Sequence, residues 1–273
     1  LEYTDELRFL LDQYEIDIEE LKKRIGSARI TENDVMQYIK EKYYPEIKET
    51  VKLTPIKKTG ARKLSESYRT AVHVTLFKTI NVEPLIENSI RLGEYLGGKV
   101  SFTFMLLKPL AKVLEGSIFN SELVSEDKLV IYKDVNIAIA VETGKGLVTP
   151  VIRKVNERKL SDLYKEYVDI VSRARDFKLK QKDFVGATFT LTNLGMYNID
   201  FFTQIINPPQ TAILGVGKVR EEIVLTPEEG LKKMRVVTFS LTFDHRIAGG
   251  AEAAIFLNNL EDYIKRFKIE DHI

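Results

Sequence analysis

The chain runs to 273 residues, 44% apolar and 30% charged, with a formal net charge of +1. That is enough apolar material for one large or two unequal globular domains, and the near-neutral balance gives no global field for nucleic acid or an anionic membrane. No apolar run approaches the roughly 18 residues of a membrane span, no secretory signal opens the chain, and the absence of cysteine excludes disulfides, thiolate metal sites and cysteine nucleophiles.

A cytoplasmic location fits this composition, and Leu1 in place of methionine points to a piece of a longer polypeptide. Residues 1–41 read as a small helical unit. Thr4 or Asp5 caps a helix through Leu7, Leu10, Leu11 and Tyr14, an i, i+3, i+4, i+7 face. Asp17 with Glu20 gives a capping-box-like start to a short turn, and Thr31-Glu32-Asn33-Asp34 opens a second helix through Val35, Tyr38 and Ile39. Two short helices around a basic loop (Lys22, Lys23, Arg24, Arg29) bury only a small core, which suits a docking unit better than an enzyme. Residues 42–55, charged and closed by Pro55, read as a linker.

A second domain covers 56–273. Helices are predicted at 63–68, 83–96, 102–114, 160–177 and 252–267, the second ended by Gly97-Gly98 and the third strongly apolar. Strands are predicted at 72–77, 129–132, 136–141, 188–193, 211–219 and 236–243. Residues 147–152 read as an edge strand that tolerates Pro150. Helices and strands mix without βαβ alternation, so the fold class is α+β.

The chemistry starts from three histidines. Asp244-His245-Arg246 follows an alternating strand and precedes Gly249-Gly250 and a helix, which makes His245 a candidate general base; the plain alternative is a strand cap. His73, within a strand, reads as a packed or surface histidine, and His272, in a charged tail, as a solvated one. Thr143-Gly144-Lys145-Gly146 lacks the spacing of a phosphate loop and reads as a hairpin turn. No metal site is read.

Several segments converge on one family. They are Gly60-Ala61-Arg62-Lys63, Val72-His73-Val74-Thr75, Lys99-Val100-Ser101-Phe102 and Asn136-Ile137-Ala138-Ile139-Ala140-Val141. Further along come Gly146-Leu147-Val148-Thr149-Pro150-Val151-Ile152, the 188–195 stretch ending Thr192-Asn193-Leu194-Gly195, the 206–215 stretch with Asn207-Pro208-Pro209-Gln210, and Asp244-His245-Arg246. In this order and spacing they resemble the catalytic domain of the dihydrolipoamide acyltransferases, the E2 components of 2-oxo acid dehydrogenase complexes. Residues 1–41 are similar to that family's peripheral subunit-binding domain, at Asp17, Arg29-Ile30-Thr31 and Asp34-Val35, with Lys22-Lys23-Arg24-Ile25-Gly26-Ser27-Ala28 in place of its glycine-rich loop.

The resemblance implies a chloramphenicol acetyltransferase-like catalytic domain with a mixed sheet, after a small all-α peripheral subunit-binding domain. It implies acyl transfer from a dihydrolipoyl arm to coenzyme A, with His245 as general base and Thr192, where the family usually has serine, as oxyanion donor. Ser101, Asn193, Gly217 and Glu142 match positions that line the coenzyme A channel. Gly249 stands where the family carries aspartate or asparagine, which leaves Arg62 without its expected partner and makes Asp244 and Arg62 structural neighbours of the site. A homotrimer assembling into a larger core is implied, binding the E1 decarboxylase and E3 dihydrolipoyl dehydrogenase components through residues 1–41. The lipoyl group is expected on a domain outside this chain. Two alternatives stay open: a scaffold subunit whose catalytic loop has decayed at Gly249, and a free-standing enzyme of the chloramphenicol acetyltransferase type, which has no use for the docking-like residues 1–41. The motifs do not specify the acyl group as acetyl, succinyl or branched-chain.

Overall fold

A computed structural model describes residues 3–226 and 230–273; Leu1, Glu2 and 227–229 lie outside the described residues. The chain divides into two compact units, Leu1–Leu53 and Thr54–Ile273.

Among its described residues the first unit holds three helices, one more than the sequence predicts. Helix α1 (Asp5–Gln13) is capped by Thr4, as read. The Asp17 carboxylate accepts from the amides of Glu19 (2.8 Å) and Glu20 (3.4 Å), and this start propagates through a full helix, α2 (Ile18–Ile25), where a short turn was expected. Lys22, Lys23 and Arg24 therefore stand in its last turn and not in a loop, where cations suit the carbonyl end of the helix dipole; Arg29 alone of the four is outside it. Helix α3 (Glu32–Tyr43) begins with a reciprocal box: the Thr31 hydroxyl accepts from the Asp34 amide (3.3 Å), and Asp34 accepts from the Thr31 amide (2.8 Å). Leu7, Leu11, Leu21, Val35 and Ile39 meet in a small buried core. Residues 45–54 then run without regular structure.

The second unit opens with α4 (Pro55–Thr70). The linker reading took Pro55 as its close, but Pro55 is the first helical residue, behind a Thr54 cap that accepts from the Lys57 amide. Next come β1 (His73–Asn81), α5 (Glu83–Leu96), α6 (Phe102–Leu114), β2 (Ser121–Ser125), β3 (Lys128–Ile131), β4 (Ile137–Ile139), β5 (Val141–Thr143), β6 (Gly146–Val148) and β7 (Val151–Ile152). They are followed by α7 (Leu160–Arg175), β8 (Phe189–Asn193), β9 (Ala212–Val216), β10 (Arg220–Thr226), β11 (Gly230–Asp244) and α8 (Gly250–Arg266). The main sheet runs β1-β11-β9-β8-β4-β7, with β10 pairing the outer part of β11. Strands β4, β8 and β9 are parallel and the other pairs antiparallel, so the fold is α+β with a mixed sheet.

Three sequence readings need correction. β2 and β10 were not predicted, because β2 is a short strand of mixed polarity and β10 opens on three charged residues in succession; pairing with β10 also extends β11 back to Gly230. The 147–152 edge strand breaks at Thr149-Pro150, where Pro150 has no amide to give and its carbonyl accepts from the Ile139 amide; β7 is the sheet edge. His272 is half-buried and not solvated: its ring stacks on Phe267 (5.3 Å, 15°), and Nε2 lies 3.2 Å from the Tyr263 hydroxyl. Burial and the nearby Lys108 charge hold its pKa below the usual histidine value.

The two faces of the sheet differ in kind. Val237, Phe239, Leu241 and Phe243 of β11 join Leu191, Leu214 and residues of α5, α6 and α8 in one apolar core. The alternate positions, Thr238, Ser240 and Thr242 on β11 and Thr190 and Thr192 on β8, point to the other face. Lys108 is buried on α6 and donates to the carbonyls of Val155 and Asn156 (both 3.0 Å) and Arg158 (2.5 Å), tying that helix to the turn before α7; burial lowers its pKa to about 8.

Candidate active site

The turn after β11 is organised by a buried carboxylate. Asp244, 3% exposed, accepts from the Val72 amide (3.2 Å), the Arg246 amide (3.1 Å) and the Arg246 guanidinium, whose Nη2 is 2.6 Å away. Burial pushes the Asp244 carboxyl up, and the Arg246 and Val72 donors outweigh it, leaving the group below its ordinary value. His245 is fixed through its backbone, whose amide donates to the Val72 carbonyl at 2.8 Å, and its ring lies over Phe243 (6.0 Å between centroids). The imidazole is exposed, and neither ring nitrogen has a partner among the described residues. Gly249 caps α8, and its amide donates to the Glu252 carboxylate. Arg62 stands exposed on α4 without an ion pair among the described residues.

Thr192 belongs to the polar face. It pairs with Gly215, which pairs with Ser240. The close approach of segment 198–207 depends on glycine here: a Cβ on Gly215 would sit 1.7 Å from Gln204 Nε2, and one on Gly217 1.8 Å from the Asp200 carbonyl. Gln204 in turn donates to Ser240 Oγ (2.5 Å) and accepts from Thr242 Oγ1 (2.8 Å). Gly217, expected in the coenzyme A channel, thus has a packing role of its own. Within one chain Thr192 and His245 are far apart. They are two strands apart and five residues along, about 20 Å by strand geometry.

Ser101 and Asn193 do come together, at the amino end of α6. Ser101 Oγ accepts from the Phe104 amide (3.2 Å) and donates to the Tyr167 hydroxyl (3.1 Å). Asn193 donates to Thr103 Oγ1 (2.9 Å) and accepts from the Gly195 amide (2.7 Å). Burial raises the Tyr167 phenol above its usual value. Thr103 and Tyr167 escaped the sequence reading because neither sits in a motif; only the packing of α7 on α6 brings them in. Glu142 is exposed on the separate β5–β6 hairpin, and no side-chain hydrogen bond joins it to this cluster.

A cavity of about 920 Å³ has neither His245 nor Thr192 in its lining. Thr59, Lys63, Tyr132, Thr188, Asn207 and Gln210 are among its walls, and Thr190, on the Thr192 face, donates to Gln210. No group of metal-ligating side chains occurs among the described residues, and none of their helices is long and apolar enough to cross a membrane.

A sequence model of the family described as 2-oxoacid dehydrogenases acyltransferase (catalytic domain) matches residues 45–269. The dihydrolipoyllysine-residue acetyltransferase component of the pyruvate dehydrogenase complex from Rickettsia bellii is 31% identical over 263 residues, 92% of this chain and 63% of that protein. The chain therefore spans less than two thirds of the length of this curated relative. Among solved structures, dihydrolipoamide acetyltransferase from Azotobacter vinelandii superposes with a TM-score of 0.77 at 34% identity, over 82% of this chain and 93% of that one. That protein was investigated for the role of a serine, a histidine and an asparagine in its catalytic mechanism. The cubic core of the pyruvate dehydrogenase multienzyme complex gives the same TM-score, identity and coverage.

Proposed function

This chain belongs to the 2-oxoacid dehydrogenase acyltransferase family, and from that membership we propose that residues 54–273 carry an acyl group from a dihydrolipoyl thioester to coenzyme A. His245 is the base. A thiol near pKa 8.5 and an imidazole near 6.5 make the proton transfer only modestly uphill. The coenzyme sulfur adds to the thioester carbonyl carbon while the Thr192 hydroxyl donates to the oxygen that becomes an oxyanion, a contact worth roughly 3 kcal/mol. Collapse of the adduct breaks the bond to the dihydrolipoyl sulfur, which takes up the proton from His245. No acyl-enzyme forms, and proton and charge balance. Ser101, Asn193, Thr103 and Tyr167 are the residues gathered to hold the coenzyme; Glu142 has no comparable support.

One observation carries this reading: the base and the oxyanion donor of a single chain are about 20 Å apart by strand geometry, at opposite ends of the sheet. A site built from both needs two copies, with the His245 turn of one against the Thr192 face of the next. Exposed apolar side chains on segment 196–201, Met196, Tyr197 and Phe201, with Phe77 packed on Phe201 at 5.3 Å, fit a surface covered by such a neighbour. We propose that a homotrimer assembling into a larger core supplies these neighbours, with residues 1–41 as the peripheral subunit-binding domain for the E1 decarboxylase and E3 dihydrolipoyl dehydrogenase. Co-expressing His245→Ala and Thr192→Ala chains tests the shared site. Each parent is expected to be nearly inactive, and mixed oligomers to regain roughly a quarter of the wild-type sites by random association. Mixed oligomers as inactive as their parents would exclude it.

The second reading, a core subunit that assembles without catalysis, is favoured by Gly249 alone, which offers no side chain beside the His245 turn. Wild-type oligomers that bind partners but transfer no acyl group would select it.

A further inference from the structure

We infer that His73 is a positioning residue that fastens segment 198–207 to the strand holding the His245 turn; the inference rests on the proposed acyl transfer. His73 and Val72 are consecutive, and both carry structural load. Val72 gives its amide to Asp244 and its carbonyl to the His245 amide, so it fixes the base from both sides. His73 faces the other way. Its Nδ1 lies 3.2 Å from the Ala71 carbonyl, and its Nε2 accepts from the Ile206 amide at 3.1 Å. An accepting Nε2 requires the proton on Nδ1, where the Ala71 carbonyl can receive it, so the geometry selects the neutral Nδ1–H tautomer.

Ile206 is bound at both of its polar groups, because its carbonyl accepts from the buried Ser67 hydroxyl of α4 at 2.7 Å. Two residues earlier Gln204 is locked to Ser240 and Thr242 above Gly215, the strand neighbour of Thr192. Thr242 extends the chain of hydroxyls to Thr75 of β1, two residues from His73 (2.7 Å). Segment 198–207 has no helix or strand of its own to hold it. Its placement over the Thr192 face depends on these side-chain contacts and, at its start, on the Ile199 carbonyl, which accepts from the Lys218 amide at 2.7 Å. His73 supplies the one nearest the base. Because the base of one copy faces the Thr192 of another, this fastening ties together the contributions of one subunit to two different sites.

Two variants separate the contact from the ring. His73→Phe keeps a planar ring and loses the acceptor; His73→Gln keeps an oxygen within reach of the Ile206 amide. The Phe variant is expected to exchange the Ile206 amide roughly tenfold or more faster, with the Gln variant close to wild type. In assembled oligomers kcat is expected to fall about tenfold for Phe, with KM for coenzyme A unchanged, and to recover in Gln. Imidazole nitrogen-15 shifts of the wild type are expected to show an unprotonated Nε2. A protonated Nε2, or a Phe variant with wild-type Ile206 exchange and wild-type kcat, overturns the inference while leaving the His245 assignment intact. Wild-type oligomers without acyl transfer overturn the proposed reaction instead, and the Ile206 exchange rate still decides the fastening.

Discussion

The two catalytic candidates are held by opposite means. His245 sits on a turn fixed by charge: one buried carboxylate takes amide and guanidinium donors, and Val72 locks the backbone from the neighbouring strand. Thr192 sits on a neutral face where space is set by glycine and order by a lattice of hydroxyls around Gln204. The first arrangement responds to pH and to loss of one side chain; the second responds to added volume.

The largest expected effect tests the base. His245→Ala should lower acyl transfer by about 10²–10⁴-fold in single-turnover assays with dihydrolipoamide and an acyl-coenzyme A. Its melting temperature should hold, since the imidazole bonds nothing among the described residues. Equal rates for mutant and wild type would remove His245 from the mechanism. Thr192→Ala should cost about 10²-fold in kcat, with Thr192→Ser close to wild type, because only the hydroxyl donor matters.

Stability changes come next and sharpen the contrast. Asp244→Ala strands Arg246 and the Val72 amide, and should cost about 2–3 kcal/mol in urea unfolding, below the roughly 3–5 kcal/mol of a fully buried pair because Arg246 is partly exposed. Gly215→Ala forces Gln204 off the sheet and should cost about 1–3 kcal/mol. A silent Gly215→Ala would mean that segment 198–207 is not clamped as described.

The smallest effects are in pH. The Asp244 carboxyl is held below its ordinary value, so its contribution is fully present above about pH 4 and is lost as pH falls through the lower folded value. The His272 imidazole is also held low, so the folded state favours its neutral form and loses stability as pH drops below about 6.5. Melting curves from pH 7 to 3 should show both falls. His272→Gln should remove the upper one alone, and a wild-type profile flat from pH 7 to 5 would contradict the burial of that ring.

Local chemistry made much of this readable in advance. The spans of α5 and α6 follow directly from their apolar spacing and flanking residues, and the strand that ends at Asp244 from its alternation. Elsewhere the pattern was silent. Exposed β10 shows no apolar period, Asp17 starts a helix its short apolar content does not announce, and His272 lies in a polar tail whose packing depends on Phe267 and Tyr263.

What the sequence by itself determined is the inner part of β11, residues 236–243, and the turn that follows it, and through the ordered motifs the family that they serve. Side-chain periodicity and capping act over a few residues, so they are written in the chain. The separation of Thr192 from His245, the clustering of Ser101 with Asn193, and the fastening of residue 206 by His73 were decided only in tertiary structure. Each depends on strand order and register between segments distant in the chain, and no local preference carries that information.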